Sequence, residues 1–148
     1  MVATRYDLPA VACDRESRIL EERTEVVVAE DDDDMRRLVV QALRDEGFHV
    51  VEARNGWELL ELVGARMMSR DGRSLGLIVT DVRMHGLTGL EILAGLREND
   101  WSTPVVLMTA FGDPALHTEA GRLGALAVFD KPFDVRALRA LVRPLVHT

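Results

Sequence analysis

Short apolar runs alternate with stretches of helical spacing along most of this chain. Residues 26–29 (VVVA) form a β-branched run. Met35, Leu38, Val39, Ala42 and Leu43 then recur at the spacing of one helix face, and Gly47 stands where that helix should stop. Phe48, Val50 and Val51 open a second strand. Asn55-Gly56 reads as a turn, followed by a helix with Trp57, Leu60, Val63 and Met67 on one face. Residues 75–80 (LGLIVT) predict a third strand, and Leu90, Leu93 and Leu96 a third helix. Residues 104–109 (PVVLMT) predict a fourth strand and 114–123 a thin fourth helix. A fifth strand covers 126–129, and Val135, Leu138, Val142 and Leu145 form the stripe of a last helix whose end Pro144 frays.

Five strand–helix units in strict alternation predict an α/β fold: a doubly wound (βα)5 three-layer sandwich around a parallel five-stranded sheet. Strands covered on both faces explain why VVVA, LIVT and VVLM are continuous rather than alternating. Right-handed crossovers leave few windings, and the order 2-1-3-4-5 is the expected one. In that order the winding reverses between strands 1 and 3, so a ligand crevice is expected at their carboxyl ends. Residues 1–24 lack sustained periodicity beyond a short helical pattern at 14–22. They read as a loosely ordered N-terminal extension to a domain spanning 25–148.

Composition narrows the class. A chain of 148 residues with 47% hydrophobic and 29% charged side chains can bury a core without staples. The net charge of −7 argues against a nucleic-acid partner. With Cys13 the only cysteine, no internal disulfide is available, which fits a reducing compartment. No signal peptide and no apolar run long enough for a membrane span are seen, so the expected location is the cytoplasm. Of the 18 basic side chains only Lys131 is a lysine.

The chemistry collects after the strands. Strand 1 runs into five acids, Glu30 to Asp34; strand 3 runs into Asp81, strand 4 into Thr109-Ala110, and strand 5 is followed by Lys131-Pro132. Strand 2 ends in Ala53-Arg54 and offers nothing comparable. Three carboxylates brought that close cannot all remain ionised unaided, and an all-oxygen set suits Mg²⁺. Glu30 and Asp31 are placed to serve it. Asp32, Asp33 and Asp34 lead into a helix, where an acid caps free N–H groups and meets the positive dipole end. The run is not an EF-hand loop, whose sixth and twelfth positions here would be Arg36 and Ala42.

The motifs AEDD at 29–32, LIVTDVRM at 77–84, VVLMTAFGD at 105–113 and DKPFD at 130–134 resemble the receiver domain of bacterial two-component response regulators. The resemblance implies that Asp81 accepts a phosphoryl group. It also implies that Glu30, Asp31, Asp81 and the backbone carbonyl of Arg83 hold Mg²⁺. Lys131 and Thr109 would contact the phosphoryl oxygens, Ala110 would leave the approach open, and Lys131-Pro132 would be cis. The implied partners are a sensor histidine kinase or phosphotransfer protein as donor and a downstream protein target, with a homodimer also open. The role is that of a switch rather than an enzyme. A phosphatase of the haloacid dehalogenase type would need a second acid two residues after its nucleophile, where Arg83 stands. The other alternative is a receiver-like interaction module that is never phosphorylated. No basic recognition helix follows, so no DNA contact is expected of these residues.

Three features depart from the family pattern. Val128 occupies the place of the usual aromatic, with Phe129 expected on the opposite face of its strand. Met84-His85-Gly86 replaces Met-Pro-Gly, which frees an N–H and should loosen the loop. The N-terminal extension is atypical. Arg83 and Phe111, two residues past Asp81 and Thr109, are bulky and expected to limit water access. Trp57, Trp101 and Cys13 read as packing or surface residues, and His49, His85, His117 and His147 as non-catalytic.

Overall fold

In the computed structural model the described residues are 23–68 and 75–147. Cys13 and the helical pattern at 14–22 lie outside them. Five strands, β1 (Glu25–Ala29), β2 (His49–Ala53), β3 (Leu77–Asp81), β4 (Val105–Thr109) and β5 (Ala127–Asp130), pair in parallel in the order β2-β1-β3-β4-β5. The helices between and after them are α1 (Asp33–Asp45), α2 (Gly56–Met67), α3 (Gly89–Glu98), α4 (Pro114–Arg122) and α5 (Val135–Val142). This is the expected doubly wound sandwich. Pro144 sits in a 3₁₀ turn, Arg143–His147, that ends α5.

The sheet is buried on both faces because its strands alternate between two cores. Val27, Ala29, Ile78, Val105 and Leu107 pack with Leu59 and Val63 of α2, Ile92, Leu93 and Leu96 of α3, and Ala120 of α4. Val26, Val28, Leu77, Val79, Val106 and Met108 pack with Val39, Val40 and Leu43 of α1 and Leu138 and Val142 of α5. Burying a single Val or Leu contributes about 1.5–3 kcal/mol, so the two layers together fix the winding.

Every helix opens on a polar cap: the Asp32, Asn55, Thr88, Asp113 and Asp134 side chains each accept an N–H from the first turn. Asn55-Gly56 is thus a helix start rather than a free turn. Gly47, at φ +103, ends α1 in a backbone conformation that side chains rarely adopt. Two helix faces differ from expectation. On α1, Val39, Ala42 and Leu43 are buried, but Leu38 is exposed. The buried stripe of α2 is Leu59 and Val63, while Trp57 and Leu60 are exposed. Apolar residues at 57, 60, 63 and 67 fit helical spacing as well as 59 and 63 do, so periodicity alone does not choose between them.

Candidate functional site

The register of the sheet brings the strand-end groups together. Ala29 pairs with Thr80, which sets Glu30 beside Asp81. Asp81 pairs with Met108, next to Thr109, and Thr109 pairs with Asp130, next to Lys131. Three further main-chain bonds carry the ladders past their ends: Glu30 N–H to the Ala53 carbonyl (3.1 Å), Val82 N–H to Met108 (2.8 Å) and Lys131 N–H to Thr109 (2.7 Å). The Lys131-Pro132 bond is cis.

Lys131 Nζ donates to Glu30 Oε1 at 2.5 Å and to Asp81 Oδ2 at 3.2 Å. Glu30 Oε2 accepts the Asp32 N–H at 3.1 Å, so both oxygens of this buried carboxylate are engaged. Asp81 Oδ1 accepts only a long 3.3 Å bond from the Arg83 N–H. Burial pushes the Glu30 carboxyl above its usual range, against the pull of Lys131 and the Asp32 N–H. Burial also works against the Lys131 ammonium, but Glu30 and Asp81 outweigh it and hold its proton more firmly than usual.

Carboxylate oxygens of Glu30, Asp31 and Asp81 lie within 4.8 Å of one another. Glu30 and Asp81 are buried and Asp31 is exposed. Three acids against one ammonium leave a surplus of negative charge at an all-oxygen donor set. That is the chemistry a hard divalent cation fits.

The loop after Asp81 is held on several sides. The buried Thr80 hydroxyl donates to the Asp81 carbonyl at 2.9 Å. The Gly56 N–H donates to the His85 carbonyl at 2.9 Å, and the Trp57 ring lies against Gly86. Thr109 is fully buried and its hydroxyl accepts the Phe111 N–H at 3.1 Å. The Arg83 guanidinium lies 5.2 Å from the centroid of the Phe111 ring. Val128 packs toward α2, α3 and α4, whereas Phe129 faces the opposite core, with its ring centroid 5.0 Å from that of Phe133.

Two groups near this end of the sheet were not legible as such. Arg36 of α1 is buried and bonds Glu52 of β2, the strand that by its terminal residues offered nothing. His117 Nε2 lies 3.1 and 3.2 Å from the two carboxylate oxygens of Asp130, linking α4 to β5. Neither residue has a distinguishing local motif. Among the described residues, no helix is long and apolar enough to cross a membrane.

Comparison with known proteins agrees with this architecture. Residues 26–143 match the response regulator receiver domain family. The chain is 30% identical over 118 residues to sporulation initiation phosphotransferase F of Bacillus subtilis, covering 80% of this chain and 90% of that protein. It is 33% identical over 122 residues to the transcriptional regulatory protein FixJ of Bradyrhizobium diazoefficiens, spanning 82% of this chain but only 56% of FixJ. Among solved structures, the chemotaxis response regulator CheY4 of Vibrio cholerae superposes with a TM-score of 0.68 at 26% identity, over 83% of this chain and 98% of CheY4. A Francisella response regulator receiver domain gives a TM-score of 0.71 at 26% identity, over 82% of this chain and 95% of its own. With the fold, the strand-end carboxylates and the lysine all in register, this chain belongs to the response regulator receiver domain family.

Proposed function

We propose that the chain is a phosphorylation-dependent switch in which Asp81 accepts a phosphoryl group from a histidine kinase or phosphotransfer protein. The observation that carries this reading is the convergence of Glu30, Asp31 and Asp81 within 4.8 Å, with Lys131 bridging the two buried members. An Asp81 carboxylate oxygen attacks phosphorus, the P–N bond to the donor imidazole breaks, and the departing nitrogen keeps the electron pair. Glu30, Asp31, Asp81 and the Arg83 carbonyl would hold Mg²⁺ here, which would supply charge neutralisation at the transferring group. Lys131, already donating to Asp81, gives up that contact for a phosphoryl oxygen. Thr109 exchanges its bond from the Phe111 N–H for a bond to the phosphoryl group, which pulls on the loop between β4 and α4. The modification adds about −1.5 to −2 charges, and the surface of α4, β5 and α5 responds.

The protein is regulatory, and its own reaction is limited to gaining and losing this group. Downstream contact is with a protein target, and a homodimer is compatible with the same face. The cytoplasm is the location proposed, with residues 1–24 as an extension to the switch domain. The expectation of no nucleic-acid partner finds no support. FixJ and AtoC of Escherichia coli are a transcriptional regulatory and a regulatory protein, and the chain spans 56% and 24% of them.

The test is incubation with Mg²⁺ and a small acyl-phosphate donor, followed by intact-mass measurement. The expected result is a gain of one phosphoryl group in the parent and none in Asp81→Asn. No gain from either the small donor or a phosphorylated kinase favours constitutive protein contact, the reading that Val128 in place of an aromatic would suit.

A further inference from the structure

Among the described residues Arg36 is the buried cation, 6% exposed, and the phosphoryl chemistry makes no use of it. Its guanidinium reaches three elements at once. Nη1 donates to the Glu30 carbonyl at 2.9 Å, Nε to Glu52 Oε1 on β2 at 3.1 Å, and Nη2 to Asp33 Oδ1 in the first turn of α1 at 2.6 Å. Burying a charge costs several kcal/mol unless it is paired and hydrogen-bonded, and an apolar side chain would fill this helix position without that cost. The three contacts together say what the charge does there. The Glu30 carbonyl and the Asp31 nitrogen share one rigid peptide plane. Fixing that oxygen therefore sets ψ of Glu30 and φ of Asp31, and with them the directions in which the two carboxylates leave the chain.

We infer that Arg36 is a positioning residue for the divalent-cation site: it holds the Glu30-Asp31 peptide so that both carboxylates face Asp81. This rests on the cation site described under the proposed function. Two physical effects of removing Arg36 have opposite signs. Deleting a positive charge near an acidic site strengthens cation binding by Coulomb attraction alone. Releasing the peptide plane weakens it, and loss of a group that orients metal ligands typically costs about 10–100-fold in affinity.

Titration calorimetry of Mg²⁺ into the full chain separates these. Arg36→Met is expected to raise the Mg²⁺ Kd about 10-fold or more. Arg36→Lys is expected to raise it as well, since one ammonium cannot span three acceptors on three elements. Arg37→Met removes an exposed guanidinium that pairs with Asp34 instead, and its Kd should stay near the parent's. In the metal-free protein, the amide resonances of Asp31 and Asp32 should move in Arg36→Met and not in Arg37→Met. Unchanged or tighter binding in folded Arg36→Met overturns the inference. If that variant does not fold, Arg36→Lys and Glu52→Gln decide it, and parent-like affinity in both overturns it. A parent chain that binds no Mg²⁺ overturns the cation site itself and this inference with it; a binding parent with an indifferent Arg36 overturns the inference alone.

Discussion

The guanidinium of Arg83 stacks on the ring of Phe111, joining the loop that follows the candidate phosphoacceptor to the loop that follows Thr109. The two residues are far apart in sequence and each stands two positions past a strand-end functional residue. A partly exposed cation–π pair contributes about 0.5–1 kcal/mol. A pair placed over Asp81 would restrict the approach of water to a phosphoryl group there. The double variant Arg83→Ala, Phe111→Ala is expected to lose that group about 2–5-fold faster than the parent, as the same energy implies. The decay of intact phosphoprotein mass with time gives the answer, and a lifetime as long in the double variant as in the parent would refute the cover.

Charge imbalance at the strand ends makes a second prediction. Glu30, Asp31 and Asp81 face one ammonium. Asp81→Asn removes a like charge worth about 1–4 kcal/mol at about 4 Å separation, depending on local dielectric. Without metal, the variant should melt at a higher temperature than the parent. Added Mg²⁺ should then raise the parent's Tm and barely move the variant's, since a ligand at 100 times its Kd stabilises by about 2.7 kcal/mol. Equal Mg²⁺ shifts in both proteins would place the cation elsewhere.

Two glycines of α2 should respond in opposite directions. A Cβ at Gly56 would lie 2.1 Å from the Leu87 carbonyl oxygen, whereas one at Gly64 meets nothing within 4 Å. Gly64→Ala is expected to stabilise by about 0.5–1 kcal/mol through helix propensity. Gly56→Ala is expected to destabilise by about 1–3 kcal/mol and to slow phosphorylation by displacing the loop after Asp81. Urea unfolding of the two variants measures both signs, and a neutral Gly56→Ala would mean the loop moves freely.

A fourth prediction concerns acid sensitivity. Glu46, just past α1, accepts from Arg143 Nε at 2.7 Å and Arg139 Nε at 2.6 Å, tying α1 to the C-terminal helix. Arg143 first, and Arg139 with it, lower the Glu46 carboxyl to about 2. A carboxylate depressed in the folded state adds stability that is complete above its ordinary value of 4.5 and disappears as pH falls through about 2. The stability gap between the parent and Glu46→Gln should therefore be constant near neutrality and close across that acid window. A gap that stays open at the acid end would show the pair to be irrelevant to acid unfolding.

Which residues stand at the strand ends of the candidate site was readable from type and position alone. Glu30, Asp31, Asp81, Thr109 and Lys131 each follow an apolar run, and parallel strands put their carboxyl ends on one side. The face of α2 was not readable, because WELLELV offers two overlapping apolar stripes, and only packing against the sheet chose Leu59 and Val63. Arg36 was invisible for a different reason. An arginine three residues after an aspartate in a helix is ordinarily a solvated pair, and its burial depends on Glu52, which is brought near by the pairing of β1 with β2.

The sequence by itself determined the five strand–helix units, their order in the sheet and the identity of the strand-end groups. Apolar periodicity and residue type are local properties, and crossover handedness leaves few ways to wind them. The tertiary structure alone decided that Lys131 bonds Glu30 as well as Asp81, that Arg36 holds the Glu30 carbonyl, and that Arg83 lies on Phe111. Such contacts depend on strand register and on rotamers chosen by competing neighbours, and these are set only when distant segments have packed.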